Sequence, residues 1–249
     1  MWRGKSSRRF DLPLNKRLTF FDHLEELRKR LLIVLAASGA FSLAAWFFSD
    51  LLLDFLTRPL TRFNETPLYF NAPYDAFLTH LKVSLLAGAL LASPVFFVEL
   101  WQFIAPGLYR RERTFFFPLV IASAALFLIG AAFAFWGIVP LGLRFLLGFQ
   151  TASLKPLLGV DAYFSFLVGM VLAAGVLFDL PVVVLGLVHG GVLGPGALRR
   201  ARKGVIVFIF ILAAVLTPTP DPVGQILLAL PLVLLYEGCI WMAQWVEKK

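Results

Sequence analysis

The chain has 249 residues, 59% of them hydrophobic and only 15% charged, against roughly 45–50% and about 25% in soluble domains. These proportions argue against a soluble domain and exclude intrinsic disorder. The formal net charge of +8 is the balance expected where loops on one side of a membrane collect Lys and Arg, so it does not by itself point to nucleic acid.

Long uncharged runs set the class. Residues 31–48 contain 18 residues without a charge and residues 115–143 contain 29, while a helix needs about 20 mostly apolar residues to cross a bilayer core. A membrane barrel would need short alternating strands instead. The prediction is an all-α polytopic membrane protein. One cysteine, Cys239, and three scattered histidines exclude a disulfide framework and a cysteine-based metal site.

In chain order, residues 1–17 form a basic tail. Ser7-Arg8-Arg9-Phe10 superficially resembles an export signal, but such a signal needs an apolar stretch directly after it, and the polar run 22–30 intervenes. Within 18–30, Phe20, Leu24, Leu27 and Leu31 line one helical face. Thr19 and Asp22 approximate a capping box. Glu25–Lys29 and Glu26–Arg30 are i,i+4 pairs in the favourable order. This is a short amphipathic helix leading into the first span. Spans are predicted at about 31–52, 81–104, 115–140, 162–188, 204–216 and 225–246.

Of the 23 Lys and Arg, 18 fall on the side that holds both termini. The positive-inside tendency makes that side the cytoplasm. The fifth segment has 13 residues, about 20 Å of helix, too short for an ordinary core unless its polar flanks lengthen it. Pro218, Pro220 and Pro222 then force a turn, so segments five and six read as a short hairpin. Pro94, Pro181 and Pro231 fall inside other spans and favour kinks, which suit a concave shape. The long outer loop 53–80 is expected to pack as a cap. No internal repeat is visible, which disfavours an inverted-repeat transporter.

Glu26 and Glu112 are carboxylates on a mostly basic cytosolic face, Glu112 among Arg110, Arg111 and Arg113. Local salt bridges would explain both. Carboxylates also match guanidinium groups by parallel hydrogen bonds that lysine cannot copy, so the two could receive a cationic peptide. Asp179 lies inside span four and Glu237 inside span six. An intramembrane carboxylate costs at least ~2.5 kcal/mol and marks a functional site by default, though either could be satisfied within the chain. No Gly-x-x-x-x-Gly-Lys-Ser/Thr, His-Glu-x-x-His or Gly-x-Ser-x-Gly pattern occurs. No enzyme, cofactor or metal is expected.

The runs His23-Leu24-Glu25-Glu26-Leu27-Arg28-Lys29-Arg30-Leu31 and Trp101-Gln102-Phe103-Ile104-Ala105-Pro106-Gly107-Leu108, with Glu112, Phe178-Asp179-Leu180-Pro181 and residues 216–225, resemble the TatC family of twin-arginine translocases. The resemblance spans about 18–246. It implies six spans, cytosolic termini, a concave glove-like arrangement with short fifth and sixth helices, and a cytoplasmic-membrane location. It implies a receptor for the paired arginines of signal peptides on folded cargo, driven by the proton-motive force. Glu26 and Glu112 fall on the family's signal-binding glutamates, and Arg28 and Phe103 on their neighbours. Asp179 falls on a membrane-embedded polar position, usually Glu or Gln, that faces single-span TatA/TatB-type partners. Asp221 falls on the acidic residue of the outer turn. Self-association in a receptor complex is also implied. Two departures stand out: Asp179 is one methylene shorter than Glu, and the turn reads Thr-Pro-Thr-Pro-Asp rather than Thr-Pro-Pro-Asp. The alternative reading is a secondary transporter or ion channel using Asp179 and Glu237.

Overall fold

Hydrocarbon offers no water to backbone N–H and C=O groups, so apolar runs of this length close their hydrogen bonds as helix. The computed structural model describes residues 20–61, 68–104, 116–150, 157–189, 195–216 and 222–247. Its elements are α1 (Phe20–Trp46), α2 (Ser49–Thr61), α3 (Asp75–Ile104), α4 (Phe116–Phe133), a π-turn (Ala134–Ile138), α5 (Val139–Leu147), α6 (Val160–Phe178), α7 (Leu180–His189), α8 (Pro195–Leu216) and α9 (Pro222–Glu247). Among the described residues, five helical stretches are long and apolar enough to cross a membrane: His23–Trp46, Asp75–Ile104, Phe117–Leu147, Val160–Gly186 and Pro222–Trp241.

Four boundaries differ from the sequence reading, the simplest being the second segment, whose helix begins at Asp75 rather than at residue 81. The first apolar segment does not continue to residue 52. Phe48 N–H bonds Ala45 O, closing α1 with a turn, and α2 starts with Asp50 in its first turn, where an acidic group suits the helix dipole. The third segment does not stop at Pro140. Pro140 falls in the first turn of α5, where its missing N–H costs nothing. The preceding π-turn, with Val139 N–H bonded to Ala134 O, widens the backbone ahead of the ring. The fifth helix has 22 residues rather than 13, about 33 Å, because it begins at Pro195 and carries Arg199, Arg200, Arg202 and Lys203 in its first turns.

The three intramembrane prolines behave differently. α3 and α9 run through Pro94 and Pro231, whereas at Pro181 the helix breaks. Pro181 has no N–H for the carbonyl of Leu177, so Asp179 N–H turns back to Val176 O and Val183 N–H bonds Asp179 O. Asp179 is therefore the joint between α6 and α7.

α6 is the centre of the core, with Phe164, Leu167, Met170, Ala174 and Leu177 almost fully buried, and it packs on α3, α4 and α9. The outer loop is tied to it. Tyr69 pairs with Gly159 through Tyr69 N–H to Leu158 O and Val160 N–H to Tyr69 O, both 2.9 Å. Tyr163 Oη donates to Leu56 O at 2.6 Å. Lys82 on α3 is bonded to Asp161 and Ser165 at the start of α6.

Lipid is as apolar as leucine, so helices here associate by close contact rather than by the hydrophobic effect. α1 and α3 meet where Gly88 lies against Ser42. A Cβ at residue 88 would stand 2.0 Å from Ser42 Oγ and 2.6 Å from Ser42 N. Gly88→Ala is expected to destabilise by about 1–3 kcal/mol through overpacking against backbone, read as a lower thermal midpoint in detergent. Gly39→Ala, with nothing within 4 Å of the added carbon, should leave the midpoint at or above the wild-type value. Equal midpoints for the two variants would mean that α1 and α3 do not depend on this contact.

Candidate functional site

The start of α1 buries its polar stripe, not its apolar one. Leu24, Leu27 and Leu31 are exposed, while His23, Glu26 and Arg30, at i, i+3 and i+7, are half-buried and face the last turn of α3. In water that would be inverted amphipathicity. Beside a bilayer the leucines have an apolar solvent and the polar stripe has α3.

Arg30 is the centre of this contact. Its Nε and Nη2 donate to Glu26 Oε1 at 3.0 and 2.5 Å. Its Nη1 donates to Glu99 Oε2 at 2.9 Å and to Gln102 Oε1 at 2.8 Å. The planar fork of a guanidinium makes these bonds at once, which an ammonium could not do. His23 stacks on Phe103 with centroids 4.3 Å apart and planes 17° apart. Glu26 and Phe103 are thus brought to one place. Arg28 is exposed, two residues from Glu26 and off that face. Glu25–Lys29 forms no ion pair among the described residues; both side chains are exposed, and such pairs gain little in water. Glu112, Asp221 and Thr19, with the side chain of Asp22, lie outside the described residues.

Sequence reasoning missed Glu99 and Gln102 as members of this network. A signal was present: Glu99 is the only carboxylate in 81–104, and Gln102 follows at i+3 on the same helical face. Their partner lies 69 and 72 residues away, beyond the reach of any local pattern.

Asp179 is 6% exposed. Ser123 of α4 is its hydrogen-bonding neighbour, while its Oδ1 has no hydrogen-bond partner among the described residues. Ser123 in turn accepts a 2.9 Å bond from Trp101 Nε1, and Gly186 of α7 lies against the Trp101 ring. Trp101 sits between Glu99 and Gln102 on the last turn of α3. The two candidate regions are therefore connected through two buried side chains, Ser123 and Trp101. Glu237 is paired with Arg202 of α8, with Oε1 and Nε 2.5 Å apart, so it is engaged across helices rather than facing Asp179 as one cation site.

A family model for the Sec-independent protein translocase protein TatC matches residues 22–231. The chain belongs to the TatC family. A TatC from Magnetococcus marinus is 36% identical over 241 residues, covering 96% of this chain and 89% of that one. The TatC of Aquifex aeolicus is 38% identical over 231 residues, covering 92% and 95%. The chloroplastic TATC of Arabidopsis thaliana is 40% identical over 237 residues, covering 95% and 69%. A crystal structure of the twin arginine translocase receptor TatC in DDM superposes with a TM-score of 0.79 at 38% identity, covering 89% of this chain and 99% of that one. TatC membership makes the chain a core subunit of the twin-arginine, Sec-independent protein translocase, a transport component rather than a catalyst. The transporter or channel alternative draws no support from these relatives.

Arg30→Met would leave Glu26 and Glu99 as facing, partly buried carboxylates without their cation. We expect a loss of about 2 kcal/mol, less than for a fully buried pair because all three side chains keep some contact with solvent. Arg30→Met with Glu99→Leu should recover most of it. Denaturant titration in detergent reads both. A wild-type midpoint for Arg30→Met would show that the network does not hold α1 to α3.

Proposed function

We propose that this TatC-family chain is the signal-peptide receptor of its translocase and binds the two arginines of a signal peptide at Glu26 and Glu112, with Arg28 and Phe103 beside them. One observation carries the reading. The end of α3 and the start of α1 already hold one guanidinium, Arg30, which donates four hydrogen bonds to two carboxylates and an amide oxygen. Glu26 uses a single oxygen for it; Oε2 enters none of the described bonds. A second guanidinium asks for the same chemistry. Three arginines at 110, 111 and 113 make the surrounding field positive, so carboxylates there are the means by which a cationic peptide is admitted.

The reading extends to topology and partners. Six spans are counted when α8 is included. Its 13 apolar residues lean on α9 and thin the bilayer locally. The 18 Lys and Arg on one side put both termini in the cytosol and the chain in the cytoplasmic membrane. The proline-broken spans suit a concave, glove-like surface along which the apolar part of a signal inserts. Small single-span TatA/TatB-type subunits, and further copies of the chain, assemble around it. Asp179 Oδ1 is the acceptor left for a polar group on such a partner, and Asp221 marks the outer turn. Transport of folded cargo draws on the proton-motive force.

The test is binding of a labelled signal peptide to the purified chain, in Arg-Arg and Lys-Lys versions. Loss of bidentate, charge-assisted bonds is worth about 1.5–3 kcal/mol, so the Lys-Lys peptide, Glu26→Ala and Glu112→Ala should each weaken binding at least about tenfold. Binding without that discrimination would be adsorption and would sink the receptor reading. Asp179→Leu should bind the signal normally yet fail to capture a single-span partner in co-purification; unaltered capture would remove Asp179 from the partner contact.

A further inference from the structure

α2 follows the end of α1 remote from the Arg30 network, and it has three flanks rather than two. Ser49, Leu56 and Leu60 are buried, where the helix packs on α3 and α5. Tyr163 Oη is bonded to Leu56 O, which fixes the rotation of α2 about its own axis. Asp50, Asp54 and Thr61 are exposed along a second flank, and the Asp50 side chain keeps 95% of its surface. Leu51 and Phe55, one turn apart, are exposed along a third. Arg58, at i+4 from Asp54 and i+3 from Phe55, stands on the border of these two flanks. Its guanidinium carbon lies 5.4 Å from the centre of the Phe55 ring.

The apolar flank continues the lipid-facing side of α1. Leu43 and Phe47, one turn apart, are exposed, Phe47 by 79%, and Phe48 and Leu51 carry the surface round the corner. On its far side Phe55 stacks on Phe135 at 5.0 Å. Trp136, the next residue, is exposed within the span Phe117–Leu147. Length points the same way. Charged residues at 25, 26 and 28–30 hold the start of α1 at the boundary of the hydrocarbon. α1 runs only 16 residues past Arg30 before it closes at Trp46, about 24 Å of helix against a hydrocarbon core of ~30 Å. A span that ends this early leaves Phe47, Phe48 and Leu51 at apolar depth.

A helix in the plane of the water–lipid boundary needs this sorting of acids from apolar residues about a fixed, core-facing side. An arginine on the border lays its stem in hydrocarbon and lifts its head to the phosphates. A second protein seated here would cover Arg58 and would have to supply an anion for it, which phosphates at that depth already provide. We propose that α2 is an interfacial helix whose partner is the bilayer itself. Leu51 and Phe55 are immersed in the acyl region of the leaflet remote from Arg30, Asp50 and Asp54 face water, and Arg58 meets lipid phosphate. The corner completes the span that α1 leaves short. The inference does not rest on the signal-peptide reading.

Asp50→Cys, Leu51→Cys, Asp54→Cys and Phe55→Cys are made singly in the full chain carrying Cys239→Ala. Each is nitroxide-labelled and reconstituted at one chain per phosphatidylcholine nanodisc. Power saturation then compares collision with oxygen, which enters hydrocarbon, and with a water-soluble nickel chelate, which does not. The oxygen-to-nickel ratio should be at least about tenfold higher at 51 and 55 than at 50 and 54. If Phe55→Cys, which loses the stack on Phe135, does not fold, Leu51→Cys carries the test alone. Nickel access at 51 equal to that at 54 would place α2 in water and overturn the proposal. Shielding of 51 from both reagents would mean that protein covers the flank, and would overturn it too. So would shielding that appears only in vesicles crowded with the chain while single-chain discs leave 51 open to nickel; the face would then belong to a second copy.

Discussion

A polar atom inside a hydrocarbon layer has to find its partner within the protein, and this requirement arranges most of the long-range contacts described above. Tyr163 reaches the carbonyl of Leu56 and Tyr236 that of Leu198. Gln225 donates to Phe210 O across the α8–α9 pair. Trp101 gives its indole N–H to Ser123, and the thiol of Cys239 lies 3.8 Å from the carbonyl of Pro181. Each of these joins two helices. Hydrocarbon supplies no drive for apolar faces to pack together, so such polar joints and the close approaches at small residues hold the helices in register.

The same requirement explains the beginning of α1. An arginine at the entry to an apolar run needs acceptors for the arms of its fork. Glu26 meets that need locally, and Glu99 and Gln102 meet it from α3. The consequence is geometric: the end of α3 is held against α1, and the ring of Phe103 comes to rest on His23. The guanidinium of Arg30 serves both the Glu26 carboxylate and the joint between the two helices, so the placement of Glu26 and the packing of α1 on α3 are coupled.

How much of this was legible in the sequence depended on range. The apolar runs and the Glu26–Arg30 spacing are local and could be read directly. A kink at Pro181 could be read as well, because a missing N–H acts on the carbonyl four residues back, but not the break between α6 and α7. Pro94 and Pro231 carry the same local signal without breaking their helices, so proline alone did not separate a break from a tolerated ring. The start of α8 was hidden because cations at a helix end look like a loop in a hydropathy reading. The π-turn before Pro140 has no composition of its own. Glu99, Gln102 and Ser123 acquire roles only through partners on other helices, which no periodicity encodes.

Asp179 is one place where the general requirement is met only in part, as it is at Ser42 Oγ and Ser84 Oγ. Buried carboxylates are ordinarily paired or hydrogen-bonded, and a chain that satisfies Tyr163, Tyr236, Gln225 and Trp101 did not lack the means. Yet Asp179 Oδ1 has no hydrogen-bond partner among the described residues, and it occurs where Pro181 has already interrupted the backbone ladder. The two defects reinforce each other. A helix joint with fewer hydrogen bonds bends more easily, and a carboxylate at that joint with a spare acceptor gains by bending toward a donor. Ser123 connects this joint to Trp101, and Trp101 lies between the two α3 residues that grip Arg30. The unpartnered Oδ1 and the interrupted backbone ladder thus fall on one residue, and Ser123 and Trp101 separate it from the Arg30 network.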